Sequence, residues 1–259
     1  MRPVTAAPRR YRPEPGHGVV YAGRLGGGRG AWGEGPYLRA SERELGVYLP
    51  QQFLETRPDV LHDLIRTHPL GTLVVLAGAE LCANHIPFLL CAEEGGGGRL
   101  HGHVARANPV WKCFGGAVEA LVIFHGPQAY VSPAWYPSRT RDGRVVPTWN
   151  YALVHAFGTP RAIEDPAWLL AHVTQLAEAH EAGQARPWRV AEAPKDYLER
   201  MIGGIVGVEI PIARLEGKWK VSQNRSRSDQ LGVVAGLQDR GTDDARAIAE
   251  LVMQRLKAP

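Results

Sequence analysis

Apolar residues recur at the spacing of an α-helix in four segments of the chain. In the first segment, Thr56 supplies an N-cap with Asp59 as its capping-box partner, and Pro69 ends the helix. The other predicted helices run from Asp165-Pro166 to about Gly183, from about Pro194 to Ile205, and from Thr242 through Leu256.

Short runs rich in β-forming residues lie between the first two helices. The predicted strands there are TLVVLAG, LCANHIPFLLC and RLHGHVA, and Glu93 to Gly98 forms a loop between the last two. VEALVIFHG and QAYVSP are predicted to form a hairpin around Gly126-Pro127, and TWNYALVHAFGTPRAI one more strand or a bent pair. Further on, VGVEIPIARLEGKWKV is predicted to be a half-exposed strand. Strands followed by helices, without βαβ alternation, predict an α+β domain built on a small antiparallel barrel.

Composition divides the 259-residue chain into a head and a body. Residues 1–46 carry eight Arg and four Glu among ten Gly and five Pro, which predicts a disordered or atypical extension. Two interpretations of this head remain open: a basic arm that touches polyanions, or upstream sequence without a selected role ahead of a start near Val47. The predicted domain is 47–237, with a helical insert, and 238–259 is the predicted C-terminal helix.

Residues 47–259 are electrically balanced, with 22 basic and 22 acidic side chains. This balance does not favour an extended nucleic-acid surface, and no helix-turn-helix or zinc-finger pattern occurs. Three cysteines form no CxxC pair, and neither a secretory signal nor a membrane-spanning apolar run is recognisable. We therefore expect a cytoplasmic protein without a membrane partner.

Polar residues within the apolar strands are the candidates for chemistry. His101 and His103 point to one face of a strand and His85 precedes them, so a three-histidine metal site is one interpretation, and histidines that donate to an anion or to backbone carbonyls are the other. Arg106 and the N-cap Asn108 suit a phosphate, although an ordinary cap beside a solvated arginine explains them as well.

Two further groups of residues suit a phosphate-bearing aromatic ligand. A second cationic and amide-rich cluster contains Lys218, Lys220, Gln223, Asn224 and Arg225. Four aromatic residues, Trp135, Tyr136, Trp149 and Tyr151, can stack on a heteroaromatic ring while Ser132 and Asn150 contact its edge, or they can serve core or dimer packing.

These segments in this order, with VYLPQQF ahead of them, resemble the PaiB family of FMN-binding negative transcriptional regulators over about residues 47–237. The resemblance implies an FMN-binding split β-barrel with an antiparallel six-stranded core, a C-terminal helical extension, and a homodimer with flavin at the subunit interface. The residues that it implies for cofactor binding are His85, Ile86, Pro87, Phe88, His101, His103, Ala105, Arg106, Asn108, Tyr130, Ser132, Trp149, Asn150, Lys220, Gln223 and Arg225.

The resemblance leaves the function open between different classes. The first hypothesis is a PaiB-type regulator, with DNA as the partner implied by the family. The second is a flavin-dependent oxidoreductase or oxygenase acting on a small molecule, with Tyr136, Arg139 or His155 near the reactive ring. A third is haem binding through His85, His101 or His103.

Overall fold

Two antiparallel sheets form the centre of the computed structural model, which describes residues 48–91, 98–115 and 119–257, without the side chain of Asp142. The predicted extension 1–46 and most of the Glu93 to Gly98 loop lie outside these residues. The strands are β1 (Leu54–Glu55), β2 (Leu70–Ala77), β3 (Glu80–Pro87), β4 (Leu89–Cys91), β5 (Arg99–Ala105), β6 (Ala120–Val131), β7 (Thr148–Gly158), β8 (Arg161–Ile163), β9 (Ile205–Pro211) and β10 (Arg214–Lys220). The strand orders are β1-β10-β7-β6-β2-β3 and β4-β5-β9-β8.

The chain crosses from one sheet to the other at short connections between consecutive strands. Phe88 joins β3 to β4, and Gly158 ends β7 against the turn after β9. A Cβ atom at Gly158 would collide with the carbonyl oxygen of Pro211, so the crossing requires glycine. Buried residues of both sheets, such as Phe124 and Val208, share one core. The arrangement is a split β-barrel, and the α+β prediction is confirmed.

Six α-helices complete the described part of the chain: α1 (Pro58–Thr67), α2 (Arg139–Asp142), α3 (Pro166–Glu181), α4 (Lys195–Gly203), α5 (Arg227–Arg240) and α6 (Asp243–Lys257). Helix α1 contributes Leu61, Leu64 and Ile65 to the barrel core. Helices α5 and α6 form a second core with the last residues of β6. Over the described residues, none of the helices is both long and apolar enough to cross a membrane.

The helix caps were predicted with mixed success. Asp165 caps α3 by accepting hydrogen bonds from the backbone of Ala167 and Trp168, as predicted. The predicted N-cap Thr56 is wrong, because α1 begins at Pro58 and the N–H groups of Thr56 and Arg57 donate to the buried carboxylate of Glu55.

Two strand predictions are also corrected by tertiary packing, and one helix was missed. The predicted hairpin at Gly126-Pro127 is one continuous strand, β6, with a bulge between His125 and Gln128 that accommodates the proline. The predicted single strand after residue 205 is two strands in different sheets, and β9 is buried on both faces because α3 covers its outer side. Helix α5 was not predicted.

Candidate functional site

The end of β10 carries an amine for which the described residues provide no acidic partner. The Nζ atom of Lys220 donates to the hydroxyl of Thr148 and, at 2.9 Å, to the carbonyl oxygen of Trp149. Burial, together with the positive charges of Lys218 and Arg225, lowers the pKa of Lys220. An anion beside Lys220 would oppose this lowering, because it favours the charged form of the amine.

The loop that follows β10 is held in one conformation. Ser222 is buried and has a φ of 66°, an uncommon backbone conformation for a residue with a side chain. Its hydroxyl accepts a hydrogen bond of 2.9 Å from Nδ2 of buried Asn150. The side chain of Gln223 accepts from the backbone N–H of Val221 and donates to the carbonyl oxygen of Trp219. The loop therefore presents its next residues from a fixed backbone.

Arg225 follows this loop and lies against an aromatic ring. Its guanidinium carbon is 4.8 Å from the ring centroid of Tyr136. Tyr136 is buried, and its hydroxyl has no well-aligned hydrogen-bond partner within the part of the chain that the structure describes. Burial raises the pKa of Tyr136, and the charge of Arg225 partly offsets this. Within the described residues, no carboxylate oxygen lies within 4.0 Å of the charged nitrogens of Lys220 or Arg225.

Exposed aromatic surface adjoins these cations. The ring of Trp149 is about half exposed and lies 6.2 Å from the ring of Tyr130. The guanidinium of Arg240 lies over Tyr130 and donates to its carbonyl oxygen at 3.1 Å. Ser132 accepts from the backbone N–H of Ala134 and so caps the next turn. We call Tyr130, Trp149, Asn150, Lys220 and Arg225 the cationic site.

The chemistry of the cationic site fits FMN. Two cations without carboxylate partners suit a phosphate, and the exposed face of Trp149 suits a flat ring. The Oδ1 atom of Asn150 is buried without a partner, so it can accept a hydrogen bond from a ligand N–H or O–H group. These residues would hold the cofactor.

The predicted residues on β3 lie elsewhere. Along the six-stranded sheet, β3 is separated from β7 by β6 and β2, so His85 to Phe88 do not reach the cationic site within one chain. His85 and Pro87 are exposed, whereas Ile86 and Phe88 are buried against Gly102 of β5. The predicted residues on β3 therefore lie at one edge of the six-stranded sheet, apart from those on β6, β7 and β10.

Arg106, Asn108 and Ala105 also lie away from the cationic site. Arg106 binds Glu164 at 2.5 Å and the carbonyl oxygens of Gly203 and Ile205 at 2.9 and 3.1 Å. Asn108 caps the turn Pro109–Cys113 and donates to Oδ1 of Asn84. Ala105 is exposed at the end of β5. The charge of Arg106 is thus already neutralised by the protein.

His101 and His103 belong to a cluster beneath α3, on the outer face of the four-stranded sheet. Nδ1 of His103 lies 3.1 Å from Nε2 of His172, and the His172 ring stacks on Trp168 at 5.2 Å. Nε2 of His101 lies 3.3 Å from the carboxylate of Glu209. Burial and the neighbouring histidines lower the pKa of His172 to about 4. His172 was missed, because one histidine in a helix has no distinguishing sequence signal.

This histidine cluster does not assemble the metal site that the sequence left open. His85 is on the other sheet, and the structure holds no group of three or more metal-ligating side chains over residues 48–91, 98–115 and 119–257. His103 contacts His172, and His101 contacts the carboxylate of Glu209, so neither the metal site nor donation to a bound anion or to backbone carbonyls describes these two histidines.

A split barrel with a cationic, aromatic-lined site defines a domain for a phosphate-bearing aromatic cofactor. Residues 47–214 match the family described as "Putative FMN-binding domain", and the chain belongs to this family. The FMN prediction is thereby confirmed at the level of the family. Lys220 and Arg225 lie beyond the matched residues.

The chain is similar to several proteins over most of its length. It is 31% identical over 211 residues to Protease synthase and sporulation protein PAI 2 of Bacillus subtilis, covering 82% of this chain and 99% of that one, which confirms the PaiB resemblance. It is 34% identical over 244 residues to Uncharacterized protein AN0679 of Emericella nidulans, covering 81% and 97%. A solved FAD and haem binding protein from Mycobacterium smegmatis matches at 17% identity and a TM-score of 0.47, over 64% of this chain and 73% of that chain.

Proposed function

We propose that this chain binds FMN as a homodimer, with the phosphate held at the cationic site. The observation that carries the proposal is the pair of cations, Lys220 and Arg225, beside the unpartnered Asn150 carbonyl. In this arrangement the two cations hold the phosphate, Asn150 accepts from the cofactor and Trp149 covers its ring. Bound FMN would supply one- or two-electron redox chemistry.

Titration with FMN and with riboflavin tests the phosphate assignment. Lys220→Gln and Arg225→Gln are each expected to weaken FMN binding at least tenfold, because each removes a charge-assisted contact to the phosphate. Riboflavin, which lacks the phosphate, should bind all variants with similar affinity. Arg227→Gln is the matched control, since this nearby exposed arginine contacts the carbonyl oxygen of Leu256. Equal losses of affinity for FMN and for riboflavin in these variants would contradict the phosphate assignment.

The outer face of the six-stranded sheet supports the homodimer. Leu76 and Leu81 lie opposite each other on β2 and β3, and both are exposed, as is Leu70 on the same face. An apolar sheet face of this kind favours coverage by another protein surface. In the proposed dimer, the β3 residues of one chain complete the cationic site of the other, whereas within one chain β3 is separated from β7 by β6 and β2.

Sedimentation velocity tests the dimer. Leu81→Glu places a charge on the proposed interface and is expected to shift the protein to monomers, whereas Leu170→Glu, on α3, should remain dimeric. A dimer that persists with Leu81→Glu and Leu76→Glu combined would show that this face is not the interface.

A flavin-dependent oxidoreductase is the second candidate. It is favoured by the buried hydroxyl of Tyr136, which has no well-aligned hydrogen-bond partner among the described residues and lies beside Arg225. Such a hydroxyl can donate a hydrogen bond to a substrate. Tyr136→Phe should then lower turnover of an identified substrate while FMN content stays unchanged, and unchanged turnover in both Tyr136→Phe and Arg139→Ala would exclude the idea.

The role of a negative transcriptional regulator rests on the PaiB resemblance. Residues 47–259 carry equal numbers of acidic and basic side chains, which does not support direct recognition of an operator. A gel shift by residues 47–259 on the gene's own upstream region, at several salt concentrations, tests this role. A salt-dependent shift would support it, and no shift would leave the flavin site as the basis of function.

A further inference from the structure

An apolar cleft of about 420 Å³ lies between α3 and α4. Its walls are Leu169 and Leu170 of α3 and Leu198 and Ile202 of α4. Leu169 and Ile202 are buried at the bottom, while Leu170 is 40% exposed at the mouth. At the C-terminal end of α4, Gly203 has no side chain to occupy the space. None of the residues of the cationic site lines this cleft.

The charged residues around the cleft neutralise each other. Arg106 lies 2.5 Å from the carboxylate of Glu164, and Lys195 lies 3.9 Å from that of Glu199. Two further contacts to backbone carbonyls fix the Arg106 guanidinium. The four charged side chains that line the cleft sum to zero, which favours neither an anionic nor a cationic ligand.

The size of the cleft indicates a small molecule as the occupant. Small-molecule sites typically measure about 300–1,000 Å³. The cleft is lined by ten residues, whereas a stable protein interface needs about 20–30 on each side. We propose that the cleft between α3 and α4 binds an uncharged, mainly aliphatic small molecule, at a site separate from the flavin.

Three probes that share one chain and differ in head-group charge test the proposal on the full chain loaded with FMN. Octan-1-ol is uncharged, octanoate is anionic and octylammonium is cationic. Isothermal titration is expected to show one octan-1-ol per chain, bound at least tenfold more tightly than either ion. Equal or tighter binding of an ion, or no binding of the alcohol, would overturn the proposal.

Substitutions locate the probe. Leu198→Trp fills the cleft and should weaken octan-1-ol binding at least tenfold, while Tyr197→Trp, the exposed neighbour that does not line the cleft, should leave it unchanged. Leu170→Gln at the mouth should weaken binding without disturbing a buried contact, so the test stands if Leu198→Trp does not fold. Undiminished octan-1-ol binding in both Leu198→Trp and Leu170→Gln would overturn the proposal. A change of oligomeric state in Leu170→Gln would also overturn it, because a second copy of the chain would then occupy the cleft.

Discussion

Nδ1 of His103 on β5 lies 3.1 Å from Nε2 of His172 on α3, so one neutral ring donates to the other. Trp168 covers the pair from α3, and Gly207 of β9 lies directly beneath Trp168, where a side chain would collide with the indole. The contact needs one ring nitrogen as acceptor, so it is lost once both imidazoles are protonated.

We predict that acid weakens this contact between α3 and β5. The pKa of His172 is lowered from 6.5 to about 4, so between these pH values the unfolded chain binds a proton that the folded chain does not. The free energy of unfolding should fall as pH falls from 6.5 to 4, with up to about 3 kcal/mol from this residue. Urea unfolding of His172→Phe should show a free energy of unfolding that changes less with pH across this range.

The matched control for His172 is His180→Gln, an exposed histidine later in the same helix. It should retain the pH dependence of the native protein. A His172→Phe variant whose free energy of unfolding still falls as steeply between pH 6.5 and 4 would assign the effect to other groups, such as His103, whose pKa burial also lowers.

Glu55 ties the C-terminal helix to the barrel. Its carboxylate accepts from the backbone and side chain of Arg57 and, at 2.6 Å, from Arg255 of α6. Burial alone would raise the pKa of Glu55, but the Arg57 hydrogen bonds and both positive charges outweigh it, and the pKa is lowered. The stabilisation is thus present above pH 4.5 and is lost as pH falls through the lowered pKa.

We predict that Glu55→Gln lowers the free energy of unfolding at pH 7 by about 2 kcal/mol, because it leaves two arginines without their carboxylate. Arg255→Ala should cost about half as much, since Arg57 continues to neutralise Glu55. Urea denaturation measures both. Limited proteolysis should cut near α6 sooner in each variant, and an uncut α6 in Glu55→Gln would show that the helix is held by its apolar core alone.

The sequence predicted the strands and most helices because their signals are local. Asp165 and Asn108 cap the segments that their side chains predict, and the strand alternation of His101 and His103 places both on one face. What the sequence could not supply is which distant element covers that face. His172, 69 residues beyond His103, and Ser222, whose backbone conformation is fixed by Asn150, depend on tertiary contacts.

The Asn150–Ser222 hydrogen bond is expected to control the shape of the cationic site. Ser222→Ala leaves the Asn150 amide buried without its acceptor and retains the unfavourable φ, so it should cost about 1–3 kcal/mol of stability. Ser222→Gly loses the same hydrogen bond but relieves the backbone, and should therefore be the more stable of the two. The free energies of unfolding of the two variants, measured by chemical denaturation, test this order. If Ser222→Ala were as stable as the wild-type protein, the Asn150–Ser222 hydrogen bond would not hold the loop.

Helix α5 is hard to predict because it contains two glycines, which have low helix propensity. The same glycines provide a test of how α5 packs. Gly232 and Gly236 lie one turn apart against Trp135, and a Cβ at Gly236 would collide with the indole ring. Alanine is favoured over glycine in a helix by about 1 kcal/mol, whereas overpacking costs about 1–3 kcal/mol. Because the rigid indole is partly buried and packs against the second core, we expect the steric cost to prevail.

Gly236→Ala should therefore lose about 1–2 kcal/mol in urea unfolding, despite its higher helix propensity. Gly203→Ala at the end of α4 is the matched control, since a Cβ there meets nothing within 4 Å and should be neutral or stabilise by up to about 1 kcal/mol. The double variant Gly236→Ala with Trp135→Leu should recover part of the helix-propensity gain, because the smaller side chain leaves room for the methyl group. Stabilisation by Gly236→Ala alone would show that α5 does not pack against Trp135.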